Sequence, residues 1–140
     1  MKIKHILLIV FVFLSSCTLF KKAQAPSFDA TAEAKVQSLT VEVDNLYTTI
    51  SSNSDKTFPP YQGSYDQIAN DIVSLASYDS SRKHSAALLI IVSDLKSRFA
   101  TFEQEHISYV KINNAQSLAY KEGMDGILDI LFRTEANYKK

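Results

Sequence analysis

Glu103 and His106 are the pair best spaced for chemistry, because E-x-x-H puts a carboxylate and an imidazole on one face of a helix. A dinuclear metal centre in a helical bundle needs a second such pair and two further glutamates from facing helices. The sequence holds no second copy, so Glu103 and His106 are candidate metal ligands short of a full set. His106 also falls on an apolar seam, where a hydrogen-bonded core histidine is the commoner role. Glu122, Asp125 and Asp129 can share a helical face, but a hard cation needs more converging oxygens, and a solvated acidic face is the simpler reading. The chain has no G-x-S-x-G elbow, no glycine-rich phosphate loop and only three glycines. Neither a catalytic site nor a cofactor is expected. The one remaining reactive group is the single thiol, Cys17.

The elements that must position these residues read as helices throughout. Val36, Leu39, Val43, Leu46 and Ile50 recur at alternating three- and four-residue steps, which predicts a helix near 29–52, with Phe28 stapling its start and Ser51 to Ser54 ending it. Phe58-Pro59-Pro60-Tyr61-Gln62-Gly63 reads as a partly extended loop, since two prolines remove donors and bias Phe58 away from helical angles. Ser64 and Gln67 form a candidate capping box for a second helix that carries Tyr65, Ile68, Ile72 and Leu75 to about Tyr78. Ser81 can cap a third helix with Leu88, Val92, Leu95, Phe99, Phe102, His106 and Tyr109 on its seam, and the apolar AALLIIV run predicts deepest burial at its beginning. Asn113 and Gln116 can cap a fourth segment carrying Tyr120, Met124, Ile127, Leu128, Leu131 and Phe132, although one continuous helix through Asn113 is an alternative. Gly123 and Gly126 predict a kink or break within it. The expected fold is all-α, a small bundle of three or four antiparallel helices over 28–140.

At the start of the chain, Lys2, Lys4 and His5 precede an unbroken apolar block from Ile6 to Leu14, followed by the small residues Ser15 and Ser16. That is the layout of a secretory signal. The block is too short for a bilayer span, which takes about 20 apolar residues. Leu14-Ser15-Ser16-Cys17 resembles the lipobox of bacterial lipoproteins, a resemblance confined to this segment. It implies cleavage after Ser16, a diacylglyceryl group on the Cys17 sulfur, acylation of the new amino terminus, and a mature protein beginning at Cys17. Two or three acyl chains anchor durably where one holds marginally, at about 0.8 kcal/mol per buried methylene. Thr18, where an Asp would favour inner-membrane retention in many Gram-negative bacteria, tilts the implied location toward the outer membrane, facing the periplasm. Residues 17–27 then form a lipidated N-terminus and tether, whose last ten residues reach at most about 35 Å.

The chain balances 15 Lys and Arg against 15 Asp and Glu, and removing Lys2 and Lys4 with the signal leaves 13 basic groups against 15 acidic ones. Basic residues are dispersed, without the stripe that binding nucleic acid requires. With Cys17 lipidated no thiol remains for a disulfide or a cysteine zinc site. Tyr47, Tyr61, Tyr78 and Tyr138 sit beside the seams, where half-emerging aromatics suit interfaces. Together these features predict a membrane-anchored, non-enzymatic accessory component of the cell envelope, structural or protein-binding, with an envelope protein as partner. The alternative is a bundle that carries an apolar ligand, metal or haem-like cofactor among Phe99, Phe102, Met124 and His106.

Overall fold

The structure is a computed structural model that describes residues 26–139. The signal segment, the lipobox with Cys17, Thr18 and the tether to residue 25 lie outside the described residues. Four helices run in chain order: α1 Ala30–Ser52, α2 Gln62–Ser80, α3 Ala86–Ser108 and α4 Asn114–Asn137. Each packs on its sequence neighbours and α4 closes back on α1, giving an up-down-up-down four-helix bundle. The expected all-α bundle is the observed fold, with four helices rather than three. Among the described residues no helix is long and apolar enough to cross a membrane.

The predicted α1 seam is buried from Ala32 through Ile50. Asp29 caps the helix, its carboxylate accepting from the Thr31 amide at 2.8 Å and the Ala32 amide at 3.2 Å. No basic residue occupies the last turn, yet the carbonyls there are not left open. The Lys56 ammonium folds back and donates to the carbonyls of Ile50, Ser51 and Asn53, placing a cation at the negative end of the helix.

Several boundaries differ from expectation. Pro59 to Tyr61 form a 3-10 turn, with Phe58 at helical angles, and the turn runs straight into α2 at Gln62. Proline suits a first helical turn, where its missing N–H has no intrahelical partner anyway. The Ser64–Gln67 box is therefore not used, and the Gln67 amide donates to Asp71 one turn onward at 2.6 Å. Ser81 closes the end of α2 by donating to the Tyr78 carbonyl, so α3 starts later, at Ala86. Deepest burial does not fall on AALLIIV: Leu88 and Val92 are enclosed, but Ile90 is 71% exposed because one stripe suffices to face the two neighbouring helices. Tyr109 has left the seam and stands exposed as the residue that ends α3.

Asn113 and Gln116 do form the predicted capping box, with both reciprocal bonds at 2.9 Å. No break follows at Gly123 or Gly126, since α4 is one helix across both. Packing outweighs the glycine penalty of about 1 kcal/mol. Gly123 has a packing role: a Cβ there would come within 3.2 Å of the Phe102 ring, which stacks on Tyr120 at 4.4 Å between centroids.

Candidate functional site

The antiparallel order gives the bundle two chemically distinct ends. One gathers the start of α1, the α2–α3 connection and the end of α4. Its centre is Arg82, which donates to Asp79 at 2.8 Å, to both carboxylate oxygens of Glu135, and to the Ser27 carbonyl at 2.9 Å. The three side chains are 9%, 0% and 1% exposed, so this is a buried ion cluster. Burial pushes the Asp79 carboxyl up against the opposing pull of Arg82, and hydrogen bonding to Glu135 holds the guanidinium firmly charged. The incoming chain is fixed here as well. Pro26 is buried, the Tyr78 hydroxyl donates to Asp29 at 2.8 Å, and the Lys139 ammonium lies 4.5 Å from the Phe28 ring centroid. That ring meets Lys139, which also pairs with Glu33 in the first turn of α1.

The other end gathers the α1–α2 and α3–α4 connections around an aromatic core. His106 is fully buried, and Phe58, Tyr61 and Tyr65 surround its ring at centroid distances between 5.6 and 5.9 Å. Its Nε2 lies 2.9 Å from the Lys56 carbonyl and its Nδ1 3.1 Å from the Tyr65 hydroxyl. A carbonyl can only accept, so Nε2 carries the proton and Nδ1 accepts from Tyr65. Burial holds the imidazole below the ordinary histidine pKa, with the Lys56 carbonyl partly offsetting it. Tyr47 meets Tyr65 edge to face at 6.4 Å, and burial pushes both phenols up. The Tyr47 hydroxyl, buried at the centre, has no partner in hydrogen-bonding geometry among the described residues. Tyr120 donates to Glu105, joining α4 to α3.

This geometry decides what the candidate residues can do. Both His106 nitrogens are committed, leaving no lone pair for a metal, and Glu103 is half-buried with its carboxyl raised by burial first and by Asp66 second. Among the described residues no three His, Cys, Asp or Glu side chains converge as a ligand group. Of the acidic trio, Glu122 is exposed, Asp125 pairs with Lys121 and Asp129 with Arg133. Phe99 and Met124 are packed into the core, and neither they nor Phe102 and His106 line the main surface grooves. Tyr47 and Tyr61 are buried rather than half-emerging, whereas Tyr78 and Tyr138 do emerge in part. Arg82, Lys56 and the Tyr65 hydroxyl carry more of the polar structure than their sequence context signals. The one local hint is Asp79 three residues before Arg82.

Around the aromatic end, Ile107, Tyr109, Val110 and Leu118 are 44% to 71% exposed, with Val110 at the extreme. Val110 also adopts φ 65, a left-handed conformation that β-branched residues rarely tolerate, as the Lys111 amide closes a tight turn onto the Tyr109 carbonyl at 2.7 Å. No family model, curated protein or solved structure matches this chain.

Proposed function

We propose that the protein is a lipid-anchored, periplasm-facing lipoprotein of the bacterial cell envelope that works without catalysis, tethering a protein partner to the outer membrane. Cys17 fixes its place, the residues between it and the buried Pro26 set its reach, and one end of the bundle meets the partner.

The observation that carries this reading is the opposition of the two ends. The chain enters at the Arg82 end, where Ser27, Phe28 and Asp29 are each held by the bundle. Four of the eight large exposed apolar side chains among the described residues, Ile107, Tyr109, Val110 and Leu118, collect at or near the other end, with Leu118 in the first turns of α4, while Val41, Val73, Ile90 and Ile130 are scattered one to a helix. A 23-residue helix separates the ends by about 35 Å. A lipid at Cys17 would therefore hold the Arg82 end toward the membrane and leave the aromatic end presented outward. Exposed tyrosine and aliphatic side chains are the residue types that anchor protein interfaces.

The anchoring step is tested by Cys17→Ala in the full-length protein. The expected result is a precursor that keeps residues 1–16 and takes up no labelled fatty acid. Normal cleavage with normal labelling of that variant would refute the anchor.

A further inference from the structure

His106 joins three parts of the aromatic end. It belongs to α3, its Nε2–H donates to the Lys56 carbonyl in the α1–α2 connection, and its Nδ1 accepts from Tyr65 of α2. The same Lys56 carbonyl lies 3.3 Å from the Ile112 amide of the α3–α4 connection, and beside it Thr57 pairs with Lys111 in an antiparallel bridge. Lys56 is thus a keystone: its side chain closes α1, while its carbonyl gathers α3 and the α3–α4 connection. The turn it holds contains Val110 in its strained conformation.

We propose that His106 is a proton-operated latch: protonation at Nδ1 releases the Lys56–Phe58 segment from Lys111 and Ile112 and loosens the end of the bundle that carries Tyr109 and Val110.

The chemistry of the contacts dictates the direction. A proton added to the ring must go to Nδ1, since Nε2 already bears one. Tyr65 then has to turn its O–H away and accept instead, and the ring becomes a buried cation. Among the described residues no facing group is bonded to it as a counter-ion. In the α1–α2 connection, the Lys56 ammonium is spent on the α1 carbonyls, the Asp55 carboxylate accepts from Thr57, and the Tyr61 hydroxyl donates to the Asp55 carbonyl. From α2 come Tyr65 and Asp66, from α1 the Tyr47 phenol, and from α4 Tyr120, which donates to Glu105. On α3 itself Glu103 is half-buried, and Lys111 follows in the α3–α4 connection. Water is the only good solvent for the imidazolium, so acid favours the open form and relief of the Val110 turn adds to it. The sign follows from the depressed pKa: the closed form is favoured above the ordinary histidine value and loses ground as pH falls below it.

This device needs neither the lipid nor a partner, so its test is separate from that of the anchor. Full-length protein in non-denaturing detergent is followed by NMR and amide hydrogen exchange between pH 7.5 and 5.0. With an open-form pKa near the ordinary 6.5, protection of the Ile112 amide, corrected for intrinsic exchange, falls by up to about 30-fold. Amides near Leu39 and Leu75 in mid-helix change less than about threefold if the opening is local. The His106 ring is the Nε2–H tautomer at pH 7.5. His106→Gln, which keeps one donor and one acceptor but cannot titrate, retains protection at pH 7.5 and loses the response to acid. A pH response that persists in that variant overturns the latch, as does equal loss of protection at Leu39 and Leu75, which marks global unfolding. Should His106→Gln fail to fold, the wild-type protein still decides. Ile112 protection that begins to fall near the open-form value of about 6.5 supports the latch, and protection that stays flat between pH 7.5 and 5.0 overturns it.

Discussion

Arg82→Met is the substitution whose cost can be worked most directly from the structure. Methionine fills much of the space of the arginine stem but abandons Asp79 and Glu135, which are 0% and 1% exposed. Among the described residues Asp79 Oδ2 already has no hydrogen-bond partner, so neither carboxylate has a ready substitute there. Breaking one partner from a buried ion cluster costs about 3–5 kcal/mol, because the remaining charge stays desolvated. Small domains are stable by only about 5–15 kcal/mol in total. With a urea m-value of about 2 kcal/mol/M, the midpoint followed by far-ultraviolet circular dichroism at pH 7.5 should fall by about 2 M. The deficit should narrow as pH drops toward 4. Burial already raises the Asp79 carboxyl, and without Arg82 to oppose it the group takes up a proton more readily, which removes the unpaired charge. Adding Asp79→Asn and Glu135→Gln to the same variant should recover most of the loss at pH 7.5. A cost below about 1 kcal/mol, or one that does not change with pH, would refute the reasoning that the cluster is a desolvated, mutually dependent unit.

Gly126→Ala meets nothing within 4 Å and should raise stability by about 1 kcal/mol, with a thermal midpoint higher by a few degrees. Gly123→Ala should gain distinctly less, since the Phe102 ring must give way at 3.2 Å; equal gains from the two would remove the packing role assigned to Gly123. Tyr47→Phe deletes a buried hydroxyl that has no partner among the described residues and should leave stability unchanged or raise it by up to about 1 kcal/mol in urea unfolding. A loss above about 1 kcal/mol would instead mean that the hydroxyl bonds to Tyr65.

What could be read in the sequence was whatever local chemistry and a single period determine. The α1 seam and the Asn113–Gln116 box were legible because each is complete within one element, and the structure keeps both. The start of α2 is not legible locally because Pro59 and Pro60 carry opposite meanings inside a helix and at its first turn. Gly123 and Gly126 suggested a break that tertiary packing overrides. Burial of Tyr47 depends on facing aromatics from α2 and α4, which no pattern within α1 encodes. The same holds for His106, whose partners Tyr65 and Lys56 lie 41 and 50 residues away, so that E-x-x-H suggested a metal where the fold supplies a hydroxyl and a carbonyl. Arg82 likewise meets Glu135 across 53 residues.

The central claim is a division of labour between an anchored end and a presented one, and photo-crosslinking in the native cell tests it most directly. A crosslinking amino acid replaces Val110 at the presented end or Lys83 beside Arg82 at the anchored end. The account predicts that the Val110 position yields a single protein adduct in stoichiometric amount, that the Lys83 position does not, and that Cys17→Ala abolishes the adduct. Equal adducts from both positions, or none beyond abundant bystanders from Val110, would contradict it.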